Sequence, residues 1–186
     1  MAMHKFSPHK AAGLEKAERH ALLQPDALLR RFGLAEGMTF ADIGAGTGFF
    51  SRAAAAIVGA QGRVYAAEMS ADMMSTFRNF GVPENVHLVA SEEYDSKIDR
   101  AAADLTLLAF VVHENHDIPR FIREAMRITR PGGSVLIVEW KRQKEEHGPP
   151  EQERLDHADL LRQLEGQNVR ESGELNPSHY FVHLTV

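Results

Sequence analysis

Cysteine is absent from all 186 residues, which removes disulfides and thiolate chemistry together. Tryptophan occurs once, at Trp140. No apolar run approaches the ~20 residues that span a bilayer. Met1-Ala2-Met3-His4-Lys5-Phe6 also lacks the apolar segment of a secretory signal. A cytoplasmic location without membrane association is therefore expected. Basic charge is in short supply: 21 Lys and Arg face 26 Asp and Glu, a net −5. That balance disfavours a nucleic-acid partner, which asks for a basic field. The basic stretches Arg30-Arg31, Arg120 to Arg130 and Lys141 to Lys144 read as solvated helix faces and a charged turn. The 44% apolar and 25% charged residues are those of a globular chain, long enough for one domain with a sizeable core.

What the chain does have is Asp42-Ile43-Gly44-Ala45-Gly46-Thr47-Gly48, set between an apolar run, Met38 to Ala41, and a helix-forming one, Ser51 to Val58. A strand that breaks into three alternate glycines and then a helix is a nucleotide-type ligand site, because main-chain N–H groups are open where no Cβ intervenes. The spacing departs from the dinucleotide fingerprint G-x-G-x-x-G/A. Its third glycine comes one residue early, and Phe49 fills the last position, too bulky for the close helix–strand contact of that motif. The phosphate loop G-x-x-x-x-G-K-[ST] fails too, since no lysine lies in the loop or the first turns of the helix. A ligand without phosphate charge suits such a loop. Arg63-Val64-Tyr65-Ala66-Ala67-Glu68 reads as the next strand, ending in a carboxylate twenty residues beyond Gly48. A carboxylate there can accept both hydroxyls of an adenosine ribose and would repel a 2′-phosphate, which disfavours NADP.

The pattern [DE]-x-G-x-G-x-G, followed by an acidic residue closing the second strand, resembles the class I S-adenosylmethionine-dependent methyltransferases. The resemblance runs along nearly the whole chain and is closest to small ubiquinone/menaquinone-type members (methyltransferase type 11-like). The Glu139-Trp140-Lys141 strand end and the Gly148-Pro149-Pro150 turn are similar to a subset of small members. The family implies S-adenosylmethionine as cofactor, S-adenosylhomocysteine as product and a small-molecule acceptor with an oxygen, carbon or nitrogen nucleophile. Relatives that methylate arsenite do so through cysteines, which this chain lacks. Relatives that methylate adenine or glutamine amines carry [ND]-P-P-[YF] after the fourth strand. Phe110-Val111-Val112-His113 stands there instead, which disfavours such amine targets.

Strand-like and helix-like segments alternate, which predicts a doubly wound α/β fold in a single domain, residues 1–186. The strands are expected at Met38 to Asp42, Arg63 to Glu68, Asn85 to Ala90, Ala103 to Val112, Ser134 to Trp140, Val169 to Leu175 and His179 to Val186. Between them, helices are expected over Ser51 to Val58, after Ser70 with Met73, Met74 and Phe77 on one stripe, over Asp117 to Arg130, and over Gln152 to Gln163. The turn Asn176-Pro177-Ser178 makes the final pair an antiparallel hairpin. By resemblance the seven-stranded, mostly parallel sheet is ordered 3-2-1-4-5-7-6. Residues 1–34 form a helical cap, divided near Pro25, whose first sixteen residues are either a frayed terminus or a lid over the site.

Ligands of such sheets sit at the carboxyl ends of the strands, where strand order reverses. The residues expected there are Asp42, to orient the loop or meet the cofactor's amino group; Gly44, Gly46 and Gly48, to open the backbone; and Glu68, to hold the ribose. Met69 is expected against adenine or in the core, Ser91 and Glu92 at the adenine edge, and Phe110 beside the thioether or in the core. His113 serves either as a general base, near neutrality in its ordinary titration, or to shape the pocket, with Glu114 as the residue that would orient it. Trp140 is an acceptor wall or a core residue. His113 and His116 are three residues apart, not the four of H-E-x-x-H, so no metal is expected. A non-catalytic S-adenosylmethionine-binding module and a nicotinamide-dependent oxidoreductase are the competing readings. The chain acts as a monomer or a homodimer.

Overall fold

The computed structural model describes residues 17–186, so the lid question over the first sixteen residues lies outside the described residues. Helices α1 (Ala17–Leu23) and α2 (Pro25–Arg31) come first, split where the imino ring of Pro25 starts the second. The chain then alternates: β1 (Thr39–Ile43), α3 (Phe49–Val58), β2 (Arg63–Glu68), α4 (Ala71–Phe80), β3 (Val86–Ala90), β4 (Ala103–Ala109), α5 (Ile118–Ile128), β5 (Thr129–Trp140), α6 (His157–Gln163), β6 (Val169–Glu174) and β7 (His179–Thr185). The seven strands form one sheet in the order β3-β2-β1-β4-β5-β7-β6. The first five strands in that order run parallel, and β7 is antiparallel to both β5 and β6. This is the expected architecture.

Alternation of side chains across the sheet divides the core in two. Phe40, Leu105, Leu107, Leu136, Val138 and Phe181 face one way, under α2 and the alanine-rich α3. Ile43, Leu108, Val135, Ile137, Tyr180 and Val182 face the other, against α5 and α6. Side-chain caps set the helix starts: Ser70 Oγ accepts from Met73 N (3.3 Å), Asp117 from Arg120 N (3.0 Å) and Asp156 from Ala158 N (2.9 Å). Among the described residues no helix is long and apolar enough to cross a membrane.

Three boundaries differ from the expected ones. Strand β4 stops at Ala109 rather than Val112, because Phe110 turns into the left-handed region (φ 61°) and a 3-10 turn, Val112–Glu114, follows. Strand β5 begins at Thr129, with Pro131-Gly132-Gly133 inside it opposite a register shift in β4. The expected helix over Gln152 to Gln163 is only its second half. A 3-10 turn spans Glu151–Glu153, Arg154 is extended and buried, and the helix starts after the Asp156 cap.

Candidate active site

The carboxyl ends of β2, β1 and β4 lie side by side where the strand order reverses, the place of the ligand crevice in such sheets. Gly44, Gly46 and Gly48 all have positive φ (75°, 57° and 84°), the region that favours glycine. Two of them also admit protein neighbours. A Cβ on Gly44 would lie 2.4 Å from Val111 Cγ1, and one on Gly48 would lie 2.2 Å from the Phe77 ring. The loop is thereby packed against the exit of β4 and against α4. Gly46 N donates to Glu68 Oε2 (2.8 Å), while Ser70 N donates to Glu68 Oε1 (2.8 Å). The Glu68 carboxylate is thus held from both sides at the crevice, and each oxygen keeps a lone pair for a further donor.

Asp42 is buried, and its Oδ2 accepts from Ser51 Oγ (2.6 Å), tying β1 to the first turn of α3. Burial pushes its carboxyl up to about 6; the Ser51 hydrogen bond and the Arg19 charge oppose the rise, while Glu68 adds to it. Arg19 of α1 was not legible in the sequence as a site residue. Its guanidinium stacks on the Phe49 ring (4.2 Å) and reaches Phe110 (5.7 Å), which brings α1 over the crevice.

On the β2–β3 side, Met69 is exposed immediately beyond Glu68. Ser91 is tied to the crevice through its backbone, N donating to the Glu68 carbonyl at 3.1 Å. Glu92, expected at the same edge, is turned away. Its exposed carboxylate pairs with Lys97 (2.9 Å), because the bridge between Glu92 and Asp95 folds the loop back on itself. The loop is anchored further on, where Ser96 N and Oγ donate to Glu124 Oε1 (2.8 and 2.6 Å) on α5.

The β4 exit carries the chemistry-bearing groups. His113 Nδ1 lies 2.9 Å from Glu139 Oε2 and 3.1 Å from Oε1. A carboxylate only accepts, so Nδ1 carries the hydrogen and Nε2 the lone pair. Glu139 is completely buried and also accepts from Val112 N (2.9 Å) and His113 N (3.2 Å). Burial of His113 works against its protonation, yet the Glu139 charge and hydrogen bond, with help from Glu114 and Glu153, raise its pKa above the ordinary imidazole value. The hydrogen bonds of Nδ1 go to Glu139, whose strand ends beneath the 3-10 turn, while Glu114 adds its charge. The signal in the sequence was a lone acid closing the apolar run Val135 to Val138.

Phe110, Trp140 and His179 form an aromatic box at the ends of β4, β5 and the start of β7. Ring centroids are 4.3 Å apart for Trp140–His179, 4.9 Å for Phe110–His179 and 5.5 Å for Phe110–Trp140. Arg154 lies across the Trp140 ring (5.0 Å) and donates to the carbonyls of Pro149 (3.0 Å), Lys141 (3.1 Å) and His147 (2.8 Å) and to the Glu145 carboxylate (2.8 Å). The loop 141–150 is fixed around the tryptophan in this way.

Residues 41–137 match the family model described as a methyltransferase domain. A ubiquinone/menaquinone biosynthesis C-methyltransferase, UbiE, from Idiomarina loihiensis is 30% identical over 114 residues, 59% of this chain and 45% of that protein. The chain thus spans under half the length of this curated relative. A crystal structure of a SAM dependent methyltransferase from Aquifex aeolicus superposes with a TM-score of 0.91 at 30% identity, covering 98% of this chain and all of that one. The [4+2]-cyclase SpnF shares the fold at 14% identity (TM-score 0.73, 90% of this chain and 81% of that one). That last likeness concerns the fold alone.

Proposed function

Because the chain belongs to the class I S-adenosylmethionine-dependent methyltransferases, we propose that it methylates a small molecule held beside Phe110 and Trp140, with His113 receiving the acceptor's proton. S-adenosylmethionine, when bound, supplies an electrophilic methyl group on a sulfonium. The residues present suit that cofactor. Glu68 keeps lone pairs for a ribose diol while the loop holds it through Gly46 and Ser70. Asp42 and Glu68 put acidic groups beside a glycine loop that has no lysine, favouring a cationic ligand without phosphate. Met69, exposed past the strand end, is assigned to the adenine face, and Ser91 to its edge. The observation that carries the reading is the Glu68 carboxylate braced across the crevice.

Methyl transfer mainly requires positioning and exclusion of water. Phe110 and Trp140 supply a flat apolar wall for the acceptor. His113 takes up the proton at Nε2, and Glu139 stabilises the imidazolium that results, a division of labour like that of the carboxylate in a Ser-His-Asp triad. An acceptor that loses a proton, an O–H, N–H or acidified C–H, fits this arrangement. The C-methyl chemistry named for the UbiE relatives is compatible with it, but the match covers only 45% of that protein, so its acceptor is not carried over.

The test is thermal denaturation with S-adenosylmethionine, S-adenosylhomocysteine or NAD. The first two raise the melting temperature, because a ligand selective for the folded state stabilises it. A shift with NAD alone would overturn the reading. Glu68→Ala weakens binding more than tenfold, roughly the loss of one charged hydrogen-bonded contact.

A further inference from the structure

We infer that His179 selects the methyl acceptor: its bare Nε2 receives a hydrogen bond from a hydroxyl or amide N–H on a flat, uncharged or anionic molecule stacked in the Phe110–Trp140 box. This rests on the acceptor side of the reading above and extends it to a residue and a chemical class.

His179 and Trp140 are direct partners across the β5–β7 ladder, so their side chains share one face. The protonation of the ring is fixed by its neighbours. Asn176 Oδ1 accepts from Ser178 N and His179 N (both 3.0 Å), and it stands 2.9 Å from His179 Nδ1. An amide oxygen only accepts, so Nδ1 carries the hydrogen and Nε2 presents a lone pair. That nitrogen is buried and has no partner among the described residues, a condition folded proteins normally avoid. His157 and His183 also have a buried, unpartnered Nε2. Neither belongs to the box: His157 stacks on Tyr180 on the opposite face of the sheet, and His183 packs on Phe32, just past α2, and pairs with Leu136 within the sheet.

The chemistry around the ring narrows the ligand. Burial drives the His179 pKa down to about 4; Glu145 opposes this, while Arg19, Arg154 and Lys141 add to it. At neutral pH the imidazole is therefore a permanent acceptor and no base, which separates its role from that of His113. Lys141 and Arg154 are themselves paired with Glu174 and Glu145, so burial is the main influence, and it disfavours an ammonium group in the box as it disfavours the imidazolium. Arg19 of α1 rests on the Phe49 ring and reaches Phe110, so α1 borders the box.

Trp140 is the one tryptophan, so its fluorescence reports on the box directly. The probes are phenol, anisole (the same ring without the donor) and benzylammonium, titrated with and without S-adenosylhomocysteine. We expect phenol to bind about tenfold tighter than anisole, the value of one hydrogen bond to a buried acceptor, and benzylammonium to bind weakest. His179→Phe keeps the stacking and erases the phenol preference, whereas His179→Gln, which retains an acceptor, preserves part of it. Equal binding of phenol and anisole to the wild type, or a preference that survives in His179→Phe, overturns the inference. Phenol selectivity in a protein that fails to bind S-adenosylhomocysteine upholds the role of His179 and removes the cofactor reading instead.

Discussion

At the scale of single residues, the most demanding one is Glu139. A carboxylate with no exposed surface at the end of Val135 to Val138 is tolerated because Val112 N, His113 N, Trp140 N and His113 Nδ1 converge on it. The raised His113 pKa is the counterpart of that convergence. Glu139→Gln removes the charge while burial of the ring remains, so the His113 midpoint should fall below its ordinary value of about 6.5. Proton NMR titration of the imidazole resonances measures this without knowledge of the acceptor. An unchanged midpoint would show that Glu139 does not set the basicity of the ring. The sequence made Glu68 and the glycines legible, because strand, turn and acid are contiguous or follow at a fixed interval. Glu139 acts on a residue 26 positions away, and only the parallel pairing of β4 with β5 brings the two together.

Among elements, the loop between β5 and α6 shows why local pattern was insufficient. Leu155, Ala158, Leu161 and Leu164 have helical spacing, yet the first turn of the expected helix is spent on Arg154. Its guanidinium is drawn inward by three carbonyls and the Glu145 carboxylate, and such long-range partners override propensity. Gly148 is required by the same packing, since a Cβ there would stand 2.9 Å from the Trp140 ring. Arg154→Lys keeps the charge but cannot serve four acceptors in a fork. We expect roughly 3 kcal/mol of destabilisation, on the scale of a broken buried ion pair, together with a red-shifted Trp140 emission and faster proteolysis within 141–150. Unaltered emission and cleavage would mean that the loop is held by other contacts. The strands of the parallel half, by contrast, were legible as short apolar runs bounded by glycine, proline or a charge, while their order came from the family resemblance and the polar β6 (Val169–Glu174) from the turn that pairs it with β7.

For the whole molecule, pH dependence follows from groups that oppose one another. Asp42 titrates at about 6 in the folded chain against 3.8 unfolded. The fold therefore gains from its proton at low pH and loses about 3 kcal/mol as pH rises from below 4 to above 6, at 1.36 kcal/mol per unit. His113 acts in the same direction at higher pH: the stability of its pair with Glu139 is present below about 6.5 and is lost as pH rises through the raised folded value. His179 acts in the opposite direction. Its pKa is depressed to about 4 from 6.5, so its contribution is present above 6.5 and lost as pH falls through 4. Between about pH 4 and 6 the Asp42 and His179 contributions run at equal and opposite slopes and nearly cancel, so these groups place the stability maximum of the unliganded protein at about pH 6.5. A cation bound beside Asp42 changes this balance, because it favours the ionised carboxylate that burial disfavours. S-adenosylmethionine affinity should then weaken by up to tenfold for each unit below pH 6, the slope for one linked proton, and the melting-temperature gain at pH 8 should exceed that at pH 5. Asp42→Asn should flatten the pH dependence while leaving the His179 and His113 titrations in place. Calorimetric titration across pH 5 to 8 on both proteins decides the matter, and an equal slope in the two would remove Asp42 from contact with the cofactor.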